Sequence, residues 1–182
     1  MNKRVYILFF CITILGCSQS ENKQNNYLAL YKYISSNNIY QTFDNVTFVK
    51  RGESDSYLYY DGKYNLTYWF SINTNNFKID EFNEVLKKKN SHILASQFPD
   101  SNQQIENQIM NNIHKSVYIF VKFNLLAING ISNDSLNTVV FTFNDNNDLV
   151  YWDNITTKEI NKIRKGKSVN KINNHWYYIK NK

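Results

Sequence analysis

The chain is short of the residues from which most specialised sites are made. Of its 182 residues, 2 are Cys, 3 are His and 5 are Gly. His92, His114 and His175 are isolated, with no HExxH or other ligand spacing, so a zinc site has no support. Gly52, Gly62, Gly130 and Gly166 are scattered, and there is no GxSxG elbow. With so few glycines and none clustered, a phosphate-cradling loop and a dinucleotide fingerprint have no support either. The clearest apolar run, Val5 to Leu15, has eleven residues. As a helix it would cover about half of the ~30 Å hydrocarbon core of a bilayer, too little to span it.

Aromatic residues are plentiful by contrast. Fourteen Tyr, 12 Phe and 3 Trp supply ample core material and argue against a disordered chain. A mean hydropathy of −0.53 with 20% charged residues fits a globular body. Asn, Lys, Ile, Tyr and Phe together make up 93 of the 182 residues. They are the residues of AT-rich codons, and the 30 Asn are dispersed rather than tracted, so we read them as genome bias.

The N-terminus has the form of an export signal. Lys3 and Arg4 precede the Val5–Leu15 run, which ends in Ile14-Leu15-Gly16-Cys17. This sequence resembles the lipobox of bacterial lipoproteins, with an aliphatic residue three before a Cys and a small residue directly before it. The resemblance covers about the first 20 residues. It implies cleavage after Gly16, lipid attachment at Cys17, and export to a bacterial membrane, with Ser18 favouring the outer membrane or cell surface. Two or three acyl chains on one Cys would anchor the protein firmly, because a single chain binds only marginally. With Cys11 removed and Cys17 acylated, the domain behind has no thiol for a disulfide, a metal site or catalysis. The expected organisation is a signal at 1–16, a lipidated tether at 17–26 and a single α+β domain at 27–182.

Within that domain the patterning predicts an antiparallel sheet packed against helices. Tyr27, Leu30, Tyr31 and Ile34 have helical spacing. A hairpin is expected at 56–70, with Asp61-Gly62 as a two-residue turn pairing Tyr60 with Lys63 and Tyr59 with Tyr64. Tyr57, Tyr59, Tyr64, Leu66, Tyr68 and Phe70 then face the core. Trp69 lies on the other face, where we expect a helix to bury it, the alternative being an exposed ring that binds a sugar or a partner loop by its flat face. Ile79 to Lys89 reads as a helix, and Ser101 with Gln104 forms a capping-box pattern for a long helix from 102 to about 122. The β-branched stretch 117–123 also suits a strand. A meander is expected at 125–152, with strands at 125–130 and 137–143 joined by a loop from Gly130 to Ser135. Thr156 with Glu159 is a second capping box, and a C-terminal strand covers about 171–180, with Trp176 and Tyr178 on the core face.

No catalytic residue, cofactor or metal site emerges. Glu53 with Asp55 could be a glycosidase pair only if the fold sets their separation. Asp145 with Asp148 lacks the Gly and distal Glu of an EF-hand and reads as a hairpin turn. Charge is uneven: from 158 to 182 there are eight Lys/Arg against one acid. Lys158, Lys162, Arg164, Lys165, Lys167 and Lys171 form a candidate patch for an anionic envelope component or a protein partner, beside the bland alternative of a solvated helix face. Nucleic acid is an improbable partner for an exported, anchored protein. The leading expectation is a non-catalytic binding module, with a glycan or peptide hydrolase and an immunity or inhibitor lipoprotein as alternatives.

Overall fold

The computed structural model describes residues 26–36, 38–52, 55–133, 136–164 and 166–181. The chain divides into a unit ending at Asn37 and a body of Asn38–Lys182. In the first unit, residues 26–36 form a helix (α1). Its Ser35 hydroxyl donates to the Tyr31 carbonyl at 2.6 Å. Gly16, Cys17 and the rest of the signal and tether lie outside the described residues, apart from Asn26.

The body is α+β. A 3-10 turn (Ile39–Phe43) leads into β1 (Val46–Arg51), β2 (Ser56–Asp61), β3 (Leu66–Asn73) and β4 (Lys78–Phe82). Two helices follow, α2 (Glu84–Gln97) and α3 (Asn102–Lys122). Next come β5 (Leu125–Asn133), β6 (Leu136–Phe143), β7 (Asp148–Trp152), α4 (Thr157–Arg164), β8 (Lys167–Lys171) and β9 (Trp176–Asn181). The sheet order is β4-β3-β2-β1-β5-β6-β7-β9-β8, with antiparallel pairs throughout. Two meanders thus meet along β1 and β5, the second extended at its far edge by the β8–β9 hairpin with β9 inward.

One sheet face packs beneath α2 and α3 as an aromatic core. Ile105, Ile109, Ile113, Val117 and Phe120 of α3 are buried, and the Phe120 ring meets Phe48 edge-on at 4.7 Å. Tyr57, Tyr59, Leu66, Tyr68 and Phe70 are buried on this face as expected. The hairpin register differs from the expected one. Tyr59 pairs with Tyr68 and Asp61 with Leu66, leaving a four-residue loop. The displacement is an even number of residues, so every strand side chain keeps its face. The Asp61 carboxylate makes the turn by accepting the Lys63 and Tyr64 N–H groups at 3.0 and 3.2 Å. Gly62 is not in the left-handed region; Asn65 is, at φ 54°. Gly62 serves instead in a close approach, its N–H reaching the Asn45 carbonyl at 2.7 Å.

Other boundaries also differ from the sequence reading. Residues 79–82 belong to β4, and α2 starts only at Glu84, capped by the Asn83 side chain on Leu86 N–H at 3.1 Å. Lys87, Lys88 and Lys89 therefore sit inside α2, not in its last turn. Helix α3 spans 102–122, so 117–122 is helical. Its Ser101 makes no side-chain cap, and Asn102 takes that role toward Gln103 N–H at 2.7 Å. The expected 171–180 strand is a hairpin, β8 with β9, turned by Asn173. Trp176 is buried on the core face, stacked on Phe141 at 6.2 Å.

Gly130 lies within β5 rather than in a loop. The Phe43 carbonyl presses onto its backbone: a Cβ at Gly130 would overlap the Phe43 oxygen and stand 2.7 Å from its carbon. That contact seats the 3-10 turn on the sheet. Positive φ falls mostly on asparagine, at Asn38, Asn45, Asn65, Asn124 and Asn146, the residue type that tolerates the left-handed region best after glycine, with Gly52 and Phe77 beside them.

Among the described residues of the body, α4 covers one end of the second sheet face. There α4 lays Ile160 and Ile163 over Val150, Val169, Tyr177 and Ile179. Toward β3 the same face is open, and Trp69 is 41% exposed, so no helix buries it.

Candidate functional site

The C-terminal basic stretch and the second hydrophobic cluster come together at α4. The helix begins with a reciprocal capping box. Glu159 Oε2 accepts the Thr156 N–H at 2.8 Å and its hydroxyl at 2.7 Å, and Glu159 N–H donates to Thr156 Oγ1 at 3.3 Å. These bonds hold the Glu159 carboxyl below its usual range. The box fixes the angle at which α4 leaves Trp152 and Ile155, yet none of its own side chains becomes fully buried.

A groove of about 610 Å³ therefore opens between α4 and the strands. Trp152, Ile155 and Ile163 form its apolar wall, while Lys162, Lys167 and Glu159 stand on its rim. Trp152 is held by its N–H on the His175 carbonyl at 2.8 Å and by the Tyr177 ring at 5.5 Å. Of the residues expected to form an anionic-partner patch, Lys162 and Lys167 reach this rim. Lys158 and Arg164 are exposed on α4 and Lys171 is exposed on β8. Lys165 lies outside the described residues.

A second, polar cleft of about 390 Å³ is lined by Tyr40, Gln41, Asp44, Asn137, Tyr151 and Asp153. The Tyr40 and Tyr151 rings stack at 4.3 Å, and the Tyr151 hydroxyl donates to Asp153 Oδ1 at 3.4 Å. Burial pushes the Asp44 carboxyl up, and it pushes the Tyr151 hydroxyl up further with help from Tyr40 and Asp153. His175 Nδ1 lies 4.0 Å from Asp153 Oδ1. Nothing in the sequence pattern singles out Asp44 and Asp153. They are more than 100 positions apart and line one cleft only because the 3-10 turn docks beside β7.

The other sequence candidates stay apart. Asp55 is exposed and pairs with Lys50 at 3.5 Å, while Glu53 lies outside the described residues. Asp145 accepts the Asn147 N–H at 3.2 Å, and Asp148 accepts the Thr142 hydroxyl at 2.8 Å, both bonds belonging to the β6–β7 hairpin. Burial raises the Asp148 carboxyl. All three histidines are exposed. Among the described residues no group of three or more His, Cys, Asp or Glu could hold a metal ion, and no helix is long and apolar enough to cross a membrane. Comparison of the chain with protein-family models, with curated proteins and with solved structures finds no match.

Proposed function

We propose that the protein is an exported envelope lipoprotein, held to a bacterial membrane through acylated Cys17, whose body acts as a non-catalytic binding module. The anchor half of this reading rests on the lipobox-like Leu15-Gly16-Cys17 and the charged and apolar segments before it. The binding half is carried by the α4 groove, an apolar wall rimmed by lysines, which is the kind of concave site where small or extended ligands dock. Its partners are membrane lipid through Cys17 and an anionic envelope component through the lysine rim. Labelled palmitate should enter the wild-type chain in cells and not Cys17→Ser, with the protein sedimenting with membranes only in the first case. Palmitate labelling of the Cys17→Ser chain would sink the anchor.

One observation favours a second reading, a hydrolase acting on envelope glycan. Asp44 and Asp153 share a cleft with two tyrosines, and burial raises the Asp44 carboxyl, the direction a general acid needs. Turnover of a glycan by the purified protein, lost in both Asp44→Asn and Asp153→Asn, would replace the non-catalytic reading. Turnover surviving both substitutions, or absent altogether, removes the cleft from contention.

A further inference from the structure

We propose that the α4 groove seats a single-chain anionic amphiphile, a long-chain fatty carboxylate, with its chain along Trp152, Ile155 and Ile163 and its headgroup between Lys162 and Lys167. The assignment deepens the binding-module reading and rests on the membrane setting proposed there.

Three features select this occupant. First, the cluster under α4 is incomplete, because Ile160, Ile163, Ile155 and Trp152 are only half-buried. An acyl chain laid along them would bury apolar surface that the fold itself leaves wet. Second, the groove's volume falls within the range of small-ligand sites. Third, among the described residues no carboxylate lies within ion-pair distance of Lys162 or Lys167. Asp148 lies close enough to feel the Lys167 charge, and Glu159, held ionised by the Thr156 cap, lines the same groove; two ammonium groups against that one lining carboxylate leave the rim net positive. Lysine stems can line an apolar chain while their ammonium groups reach its head. A neutral lipid would leave those ammonium groups unused, and a bare phosphate would leave the wall exposed.

The test uses membranes carrying the full chain and hexadecanoate bearing a diazirine near its chain end. After illumination, proteolysis and mass spectrometry should place the adducts in residues 152–167. Excess hexadecanoate should suppress them, and hexadecanol at the same concentration should not. The double substitution Lys162→Gln with Lys167→Gln alters exposed side chains only and should lower labelling about five- to tenfold. Adducts scattered over the surface, equal competition by hexadecanol, or an unaffected double variant would each overturn the proposal. Sedimentation read on the same samples separates the two readings. A membrane-bound chain without adducts in 152–167 removes the groove assignment alone, whereas a groove that labels on a chain free of the membrane removes the anchor alone.

Discussion

Replacing Gly130 by Ala tests how the 3-10 turn is seated. A methyl at this position meets backbone on its crowded side: it overlaps the Phe43 carbonyl oxygen, lies 2.7 Å from the carbonyl carbon and 3.5 Å from Asn45 N. None of these atoms is the end of a flexible side chain, so β5 or the turn must shift by roughly an ångström in a close-packed region. Overpacking of that kind costs about 3 kcal/mol at its upper end. Removing a glycine from the unfolded chain offsets about 0.5 kcal/mol. The net loss is about 2.5 kcal/mol, and for a body of this size each kcal/mol moves Tm by roughly 2–4 °C. Gly130→Ala should therefore melt about 5–10 °C below the wild type in a calorimetric scan. Its near-ultraviolet circular dichroism should also change, because Tyr40 rides on the same turn and stacks on Tyr151. Gly166→Ala is the control, since a Cβ there meets nothing within 4 Å. It should stay within about 0.5 kcal/mol of the wild type. If Gly130→Ala melted with its control, the docking of Phe43 on β5 would be wrong.

Asp61 gives a pH prediction. Burial raises its carboxyl above the usual value, partly countered by the Tyr64 and Lys63 N–H groups and the Lys63 charge. A raised folded-state value means that the favourable term is complete below the unfolded-state pKa and is lost as pH rises through the folded one. Asp61→Asn keeps the turn's acceptor oxygen and removes that loss, so it should resist urea better than the wild type at pH 7 and not at pH 3. An advantage independent of pH would contradict the account. Asn45→Ala removes a residue at φ 57° and the acceptor of Ser132 N–H at 2.9 Å. It should cost about 2–3 kcal/mol in chemical denaturation; a loss below measurement would show that the left-handed turn is not specified there. In single-tryptophan variants, acrylamide should quench Trp69 readily and Trp176 hardly at all, since one is open and the other 3% exposed. Equal quenching would contradict the open sheet face.

The face assignments of the hairpin were legible because alternation survives any even displacement. The register was not, since it depends on how the Asp61 side chain captures two N–H groups beyond it. The helix expected from Ile79 was misread for a definable reason. Ile79 pairs with Ile72 and Phe82 with Phe70 across a bulge, so β4 has an extra residue and shows core-facing positions three apart. That spacing imitates one turn of helix. The α4 capping box was readable because its partners are three residues apart. Lys162 and Lys167 could be found as charges, but not the apolar wall beside them, because Trp152 and Ile155 gain meaning only once α4 folds back over β7. Trp69 looked like core material because it is tryptophan. Only the topology decides that α4 covers the other end of that face.

The seam between the two meanders also has a kinetic consequence. Most neighbours within either half lie close along the chain, and the β7–β9 pair spans under 35 residues, whereas pairing Thr47 with Asn129 closes a loop of roughly 80 residues. Relative to a ten-residue loop, that closure costs about 2 kcal/mol more in chain entropy, and it must be met before the seam's own contacts form. The halves of the sheet can thus take shape independently, with their joining along β1 and β5 as the slow step. Until that step is complete, each half carries an unpaired strand edge rich in Val, Phe and Ile, and a newly made chain is open to association with its own kind for as long as the seam stays unzipped.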